Sequence, residues 1–451
     1  MRIATLGAGW AGAAAAVTLA RFGHAVTVFE AAEVPGGRAR RVMRDGLPLD
    51  NGQHLLLGAY TQTRNLLAAV HGGDGERGLL ARRPLEIATA RPDAFALRAR
   101  RLPAPLGLLG GLLGARGLSW RERVGTAAWF ARLRAAGFRA APHTTVSALC
   151  ASGPAAAAAL LWHPLCIAAL NTAPERACAQ VFANVLGEAL AAGRDASDFL
   201  LPCTDLSALF PEPALRFVAA QGGEVRLRTP ARIAHLGDDA VTLAAGGSKH
   251  AFDAVVVAVA PHQLEAAVGT HPAFAPATAA ARSLDYEPIA TAWLGYRSRV
   301  TLSAPMLRLD DAPGQWLFER PDVLARAAAP ATQAPLAHLL AVVVSASGPH
   351  EALGAAGLAT ACDAQLRKLG LVLPPLAWSQ TIVEKRATYA CTPGRARPAS
   401  AGVHPRVALA GDWLDGELPA TLEAATRSGV AAAFALDLRH CGDAPGVSAA
   451  A

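Results

Sequence analysis

The chain has 451 residues, of which 52% are apolar and 17% charged. That excludes a disordered chain and supplies a core that needs no disulfide or metal staple. No apolar run approaches the about 20 residues that span a bilayer. The net charge of +7 comes without a dense basic run interleaved with aromatics, which argues against nucleic acid as a partner. The surplus is either a solvated surface or an attraction to anionic membrane lipid or diphosphate. Seven cysteines include no CxxC pair. They read as reduced thiols of a cytoplasmic protein, with no metal site.

In chain order, Ile3–Leu6 predicts a short buried strand, and Gly7-Ala8-Gly9-Trp10-Ala11-Gly12 follows it as GxGxxG. A helix is expected over 13–22, a turn at Gly23-His24, and a second strand over 25–30 that ends in Glu30. Together these parts form a dinucleotide-binding fingerprint. Gly7 permits the tight turn, Gly9 lets a pyrophosphate approach the backbone, and Gly12 lets the helix pack on the strand. The free N–H groups around Trp10 and Ala11 then meet the phosphates. Glu30 is placed to accept from a ribose 2′-hydroxyl.

Further along, Pro35-Gly36-Gly37-Arg38 makes a turn, and Leu49-Asp50-Asn51-Gly52-Gln53-His54 gathers several polar side chains. Residues 71–93 read as loops or sheet edges. The apolar, Gly-rich stretch 102–115 is followed by Trp120 and by Arg116, Arg121 and Arg123. It reads as a helix lining a substrate cavity, as a membrane-dipping entrance, or as both. An amphipathic helix is expected over 119–134. Ala-rich helices fill 155–192, interrupted by Trp162-His163-Pro164. Strands are expected over 223–228 and 252–261, and sheet around Trp293, Tyr296, Trp316 and Phe318. A last short strand over 407–410 leads to Gly411-Asp412-Trp413. Leu418-Pro419-Ala420-Thr421 then opens a helix to about Leu436, with Pro419 in its first turn.

Glu30-x5-Gly36-Gly37-Arg38 resembles the signature of the FAD-dependent amine oxidase and carotenoid desaturase superfamily. The resemblance implies FAD, with Gly36 and Gly37 bringing backbone close to it and Arg38 on its diphosphate side. It also sets Gly411 and Asp412 beside the ribityl and pyrophosphate, and the helix start at Leu418–Thr421 under the flavin. The fold class expected is α/β, a Rossmann-like FAD-binding domain discontinuous in sequence (1–70, 215–265 and 400–440). A second, α+β substrate domain of mixed sheet and helices takes 71–214 and 266–399, and 441–451 form a flexible tail.

The Asn51-Gly52-Gln53-His54 segment, the 200–211 stretch around Asp205, Glu384–Tyr389 and the Gly-Asp-Trp…Leu-Pro-Ala-Thr end resemble one subgroup over nearly the whole chain. It is the squalene-associated FAD-dependent desaturase family, read as hydroxysqualene dehydroxylases of hopanoid pathways. The reaction this implies is reductive removal of the hydroxyl of hydroxysqualene to give squalene, with Asn51, Gly52, Gln53 and His54 near the flavin. A protonated hydroxyl has to leave, which makes His54 the first choice of proton donor. Gln53 is a candidate for binding the hydroxyl or the flavin edge. Lys385 is a candidate for biasing flavin charge, and Asp205 for catalysis or for capping a helix. Implied partners are a long-chain isoprenoid substrate, anionic lipid at the inner face of the membrane, and squalene or hydroxysqualene synthases. Competing readings are a polyprene desaturase or isomerase, a flavin amine oxidase, and an FAD-binding protein without turnover.

Overall fold

The structure is a computed structural model and describes the chain except residues 92–93, 101, 103–104, 194, 328–334, 401–402, 415 and 442–451. The expected tail therefore lies, from 442 on, outside the described residues.

The N-terminal segment forms a strand at Arg2–Leu6, a helix at Trp10–Arg21 and a strand at Ala25–Phe29. These two strands sit in a five-stranded parallel sheet whose other members come from far along the chain. Its order is Glu224–Arg226, Ala25–Phe29, Arg2–Leu6, Ala254–Val257 and Val407–Leu409. Ile3 pairs with Ala254 and with Val26, so the first strand is central. Val255, Val256 and Val257 are buried on both faces, as a parallel strand covered on both sides requires. Helix Leu422–Cys441 packs on helix Trp10–Arg21. A Cβ at Gly429 would collide with the Ala11 carbonyl, so the two backbones touch there.

The core around the first helix also takes in Leu206, Leu209, Phe210 and Ala214, ahead of the boundary expected at 215. Ala231–Leu236, Val241–Ala245 and Ser248–Phe252 make an antiparallel three-stranded sheet inserted before the fourth parallel strand.

A second five-stranded sheet is antiparallel, in the order Met306–Arg308, Trp316–Glu319, His338–Ser345, Tyr286–Tyr296 and Leu376–Tyr389. It holds Trp293, Tyr296, Trp316 and Phe318, as expected. Helices Leu106–Leu113, Trp120–Ala135, His163–Leu170 and Ala179–Ala191 cover the same core. Ser119 and Glu122 cap the second of these reciprocally.

Two local expectations are corrected. Trp162-His163-Pro164 does not interrupt the helix. The chain passes through a π-helical turn at Ala158–Trp162 into His163–Leu170. Pro164 has no N–H to give the carbonyl one turn back, and the wider turn accommodates that loss. The last helix starts at Leu422, so Pro419 is outside its first turn. Thr421 accepts from the Ala424 N–H at 3.1 Å and caps the helix instead.

Candidate functional site: a glycine-lined cradle opening into an apolar cavity

The turn between the first strand and first helix is set by sterics. Gly7 has φ +97, and a Cβ on it would lie 2.5 Å from the Ala258 carbonyl oxygen. A Cβ on Gly12 would collide with the Gly7 carbonyl. Gly9 bridges to Gly36, and the Gly36 N–H donates to the Ala8 carbonyl at 2.9 Å, so the two glycine turns lie side by side. Among the described residues no side chain caps the first helix. Its N-terminal residues line the cavity with their donors uncapped.

Glu30 accepts from the Ala8 N–H at 2.6 Å and the Ala32 N–H at 2.8 Å. Both oxygens therefore hold the loops in place, and their remaining lone pairs face the site. Arg38 donates to Asp412 at 2.5 Å and to the Ala387 carbonyl at 2.6 Å. That pair ties the GGR turn to the C-terminal segment, and Asp412 raises the Arg38 pKa against the lowering effect of burial. Gly411 is held by its N–H donating to Ser428 at 3.0 Å.

One cavity of about 1350 Å³ runs past all these groups. Of the sequence-expected residues it is lined by Gly7, Gly9, Trp10, Ala11, Glu30, Gly36, Gly37, Arg38, Asn51, Gly52, Gln53, His54, Lys385, Gly411, Asp412, Leu418, Ala420 and Thr421. Gly12 and Pro419 stand behind the lining.

The 51–54 loop is held from several sides. The Asn51 amide donates to Glu384 at 3.0 Å and to the Arg38 carbonyl at 3.2 Å. His54 has its Nδ1 on the Gly52 carbonyl at 2.8 Å, and its Nε2 has no hydrogen-bond partner among the described residues. Burial, with Arg38 and Arg320 nearby, pushes its pKa below the ordinary histidine value, against the raising effect of the Gly52 bond. Gln53 is engaged within the protein. Its Oε1 accepts from Arg320, its Nε2 donates to the His54 carbonyl at 3.0 Å, and its backbone N–H donates to Thr291 at 3.4 Å. One amide N–H is left, so Gln53 belongs to the frame of the loop more than to the expected hydroxyl contact. Lys385 is exposed, lies on the lining, and makes no ion pair among the described residues.

Asp205 requires a correction. It is absent from the cavity lining, so it is not placed to act on a substrate. It accepts from the Ala208 N–H at 2.9 Å as the N-cap of Leu206–Leu209 and pairs with Arg41 and Arg326, each at 3.2 Å. The stretch 102–115 is corrected too: no residue of it that the structure describes lines the cavity.

Sequence reasoning missed two groups, Arg320 and Glu423. Arg320 is 3% exposed and binds Asp50 at 3.0 Å and Asp322 at 2.8 Å, besides Gln53. Burial holds the Asp50 carboxyl up at about 6 although Arg320 pulls it down. Glu423, fully buried in the first turn of the last helix, accepts from the Gln62 and Thr63 N–H groups at 3.0 Å and pairs with Arg427 at 2.8 Å.

The model of flavin containing amine oxidoreductases matches residues 209–436, and that of NAD(P)-binding Rossmann-like domains matches 5–70. The hydroxysqualene dehydroxylase of Rhodopseudomonas palustris is 31% identical, over 95% of this chain and 96% of its own. The chain belongs to the hydroxysqualene dehydroxylases of the flavin amine oxidoreductase family. The same-named enzyme of Sinorhizobium fredii is 30% identical with the same coverage. An oxidoreductase from Methanosarcina mazei has the same fold, with a TM-score of 0.71 at 15% identity over 96% of this chain and 100% of its own.

FAD is the cofactor of this family, and the cradle fits it. The uncapped helix start suits a diphosphate, and the bare glycine backbones on either side leave room for it. Gly9 gives the sharpest check among the hydroxysqualene dehydroxylase motifs. A Cβ there would be 3.8 Å from its nearest neighbour, so Gly9→Ala is expected to fold normally and still intrude on the lining. Its apoprotein should melt as the parent does, while FAD titration shows weaker binding. Equal FAD affinity would remove the diphosphate from this turn.

Proposed function

We propose that this chain is an FAD-dependent dehydroxylase that removes the hydroxyl of hydroxysqualene reductively and releases squalene and water. The observation that carries the reading is the continuity of the cavity. From the glycine cradle it runs into an apolar end walled by Leu165, Phe182, Leu186, Met306, Trp316 and Phe318. A pocket for one drug-sized ligand holds about 300–1,000 Å³. This cavity, at about 1350 Å³, has room for a cofactor and a long hydrocarbon. The near full-length match to named hydroxysqualene dehydroxylases supports the choice among isoprenoid substrates.

FAD, when bound, supplies the hydride that replaces the hydroxyl. The chain's side chains do the rest. A C–O bond beside an alkene ionises once its oxygen is protonated and can leave as water. His54, with Nδ1 fixed on Gly52, gives up a proton from Nε2 once the ring is protonated. The apolar walls keep other water from the cation, and the rings of Trp316 and Phe318 offer it π-electron density. Lys385 adds positive charge on the lining, which favours added electron density on the cofactor. A synthase that releases hydroxysqualene would supply the substrate, in a pathway leading to squalene and hopanoids. Cys150, Cys166, Cys178, Cys203, Cys362 and Cys391 are unpaired, which supports a cytoplasmic site. Among the described residues no helix is long and apolar enough to cross a membrane.

The test is anaerobic. Protein reduced by light is mixed with hydroxysqualene, and flavin absorbance and extracted product are followed together. Reoxidation with squalene formed in equal amount is expected. Flavin that stays reduced in protein shown to bind the substrate would overturn the reading in favour of polyprene desaturation.

A further inference from the structure

Helix Leu106–Leu113 contains only leucine and glycine. One side is buried through Gly107, Leu108, Gly111 and Leu112, and that side accounts for its packing. The other side is apolar as well: Leu106 is 56% exposed and Leu113 38%. A surface helix ordinarily turns polar residues outward. The next helix continues the patch with Trp120, 65% exposed, and Val124, 43% exposed, and Leu102 precedes it at 44%. Thirteen large apolar side chains are exposed among the described residues, and five of them fall between 102 and 124. They form a cluster, where scattered single exposures would need no explanation.

The charge around this cluster says what covers it. Between 98 and 139 the sequence has nine arginines and a single acid, Glu122. That local surplus exceeds the +7 of the whole chain. Glu122 is already committed to Ser119, at 2.7 Å from its backbone N–H. Arg100, Arg116 and Arg121 are exposed and form no ion pair among the described residues. Arg123 donates to the Leu113 and Leu118 carbonyls and so ties the two helices together. Leucines with a tryptophan in the middle and unpaired arginines at the rim match an interface of acyl chains below and anionic headgroups above. A protein partner of this chemistry would need its own acidic rim, and a second copy of this chain would oppose arginine to arginine.

We propose that the 102–124 surface docks the protein on an anionic lipid bilayer, with Leu106, Leu113 and Trp120 entering the headgroup boundary. The patch is joined to the cavity wall. Gly107 packs against the Arg100 carbonyl, and the Ala99 N–H donates at 2.9 Å to the carbonyl of Leu85, which lines the cavity. The proposed substrate, being oil-soluble, gives the docking its use.

Flotation with vesicles tests it without any turnover. The full chain should float with phosphatidylcholine vesicles containing phosphatidylglycerol and remain largely behind with phosphatidylcholine alone. Arg116→Ser/Arg121→Ser should weaken binding about 30-fold, from about 1 kcal/mol per arginine near such a surface. Leu106→Ser/Trp120→Ser should lose it at an unchanged melting temperature. Lipids brominated in the acyl chain should quench part of the tryptophan fluorescence in the parent and none of that part in Trp120→Phe. Failure to float with anionic vesicles would overturn the proposal, and so would binding unaffected by either double variant. A concentration-dependent dimer that Leu106→Ser dissolves would overturn it too, because the patch would then be buried between two copies. None of these results depends on whether hydroxysqualene is the substrate.

Discussion

Replacing His54 by alanine is expected to lower turnover by about 10²–10⁴-fold, the usual contribution of a positioned proton donor, in protein that still binds flavin. The expected pH profile follows from the direction of its shift. Burial and the charges of Arg38 and Arg320 hold its pKa below the ordinary histidine value. At neutral pH the ring is therefore mostly uncharged, with its one proton on the Gly52 carbonyl side and none to give from Nε2. Activity should rise as the pH falls through that lowered pKa and level off below it. A depressed pKa also makes the imidazolium a stronger acid once formed. The alanine variant should lose the acid-side rise. If the variant turns over at a lower rate but keeps the rise, the proton comes from another group and His54 only braces the loop. The same shift has a cost in stability. The unfolded chain takes up this proton before the native one does, so protonating His54 destabilises the fold as the pH drops below the ordinary histidine value.

Arg320→Met is expected to destabilise the protein by about 3–5 kcal/mol, the range for removing one member of a buried ion pair. The arginine is 3% exposed and Asp50 1%, so neither can turn to water. Asp322 retains Arg326 at 2.8 Å, but Asp50 is left with one donor, the Leu206 N–H at 2.8 Å. The pH dependence identifies the group at fault. In the native protein the Asp50 carboxyl sits at about 6, above its ordinary value near 3.8. Ionising it therefore costs stability as the pH rises through that window. Without Arg320 it rises further and stays protonated nearer neutrality. Urea unfolding should show a deficit that is small in mild acid and grows on the alkaline side. Asp50→Asn in the same chain should recover part of it. A deficit independent of pH would mean that the loss is one of packing, including the contact of Arg320 over the Trp293 ring at 5.5 Å. Since Arg320 also holds Gln53, the variant should loosen the 51–54 loop and lower turnover.

Much of the cofactor cradle was legible in the sequence because backbone sterics write it there. Gly7 and Gly12 are needed whatever surrounds them, and the run from Ala254 to Val257 has the composition of a strand covered on both faces. The polar frame was not legible. Arg320 meets Asp50 and Gln53 across some 270 residues of chain, and no local period marks such a contact. The Arg-Pro-Asp of 320–322 resembles any surface turn. Asp205 looked equally suited to capping and to chemistry, because both uses want a short carboxylate before an apolar run. Pro419 read as the first residue of a helix, and only the Thr421 bond to Ala424 moves the start. The helix at 106–113 is apolar all round, so its sequence could not say which side faces out.

The order of strands in the parallel sheet bears on how the cradle folds. Its central strand, Arg2–Leu6, has Ala254–Val257 on one side, and the strand beyond that is Val407–Leu409. These pairings join segments far apart in the chain, so loop-closure entropy has to be met before the sheet repays it. The Arg38–Asp412 tie and the packing of Gly429 on Ala11 close the glycine turn by contacts of the same long range. Until the Val407–Leu409 segment docks, the sheet keeps an unpaired edge and the cradle lacks one wall, so tight flavin binding is expected only once these segments have met.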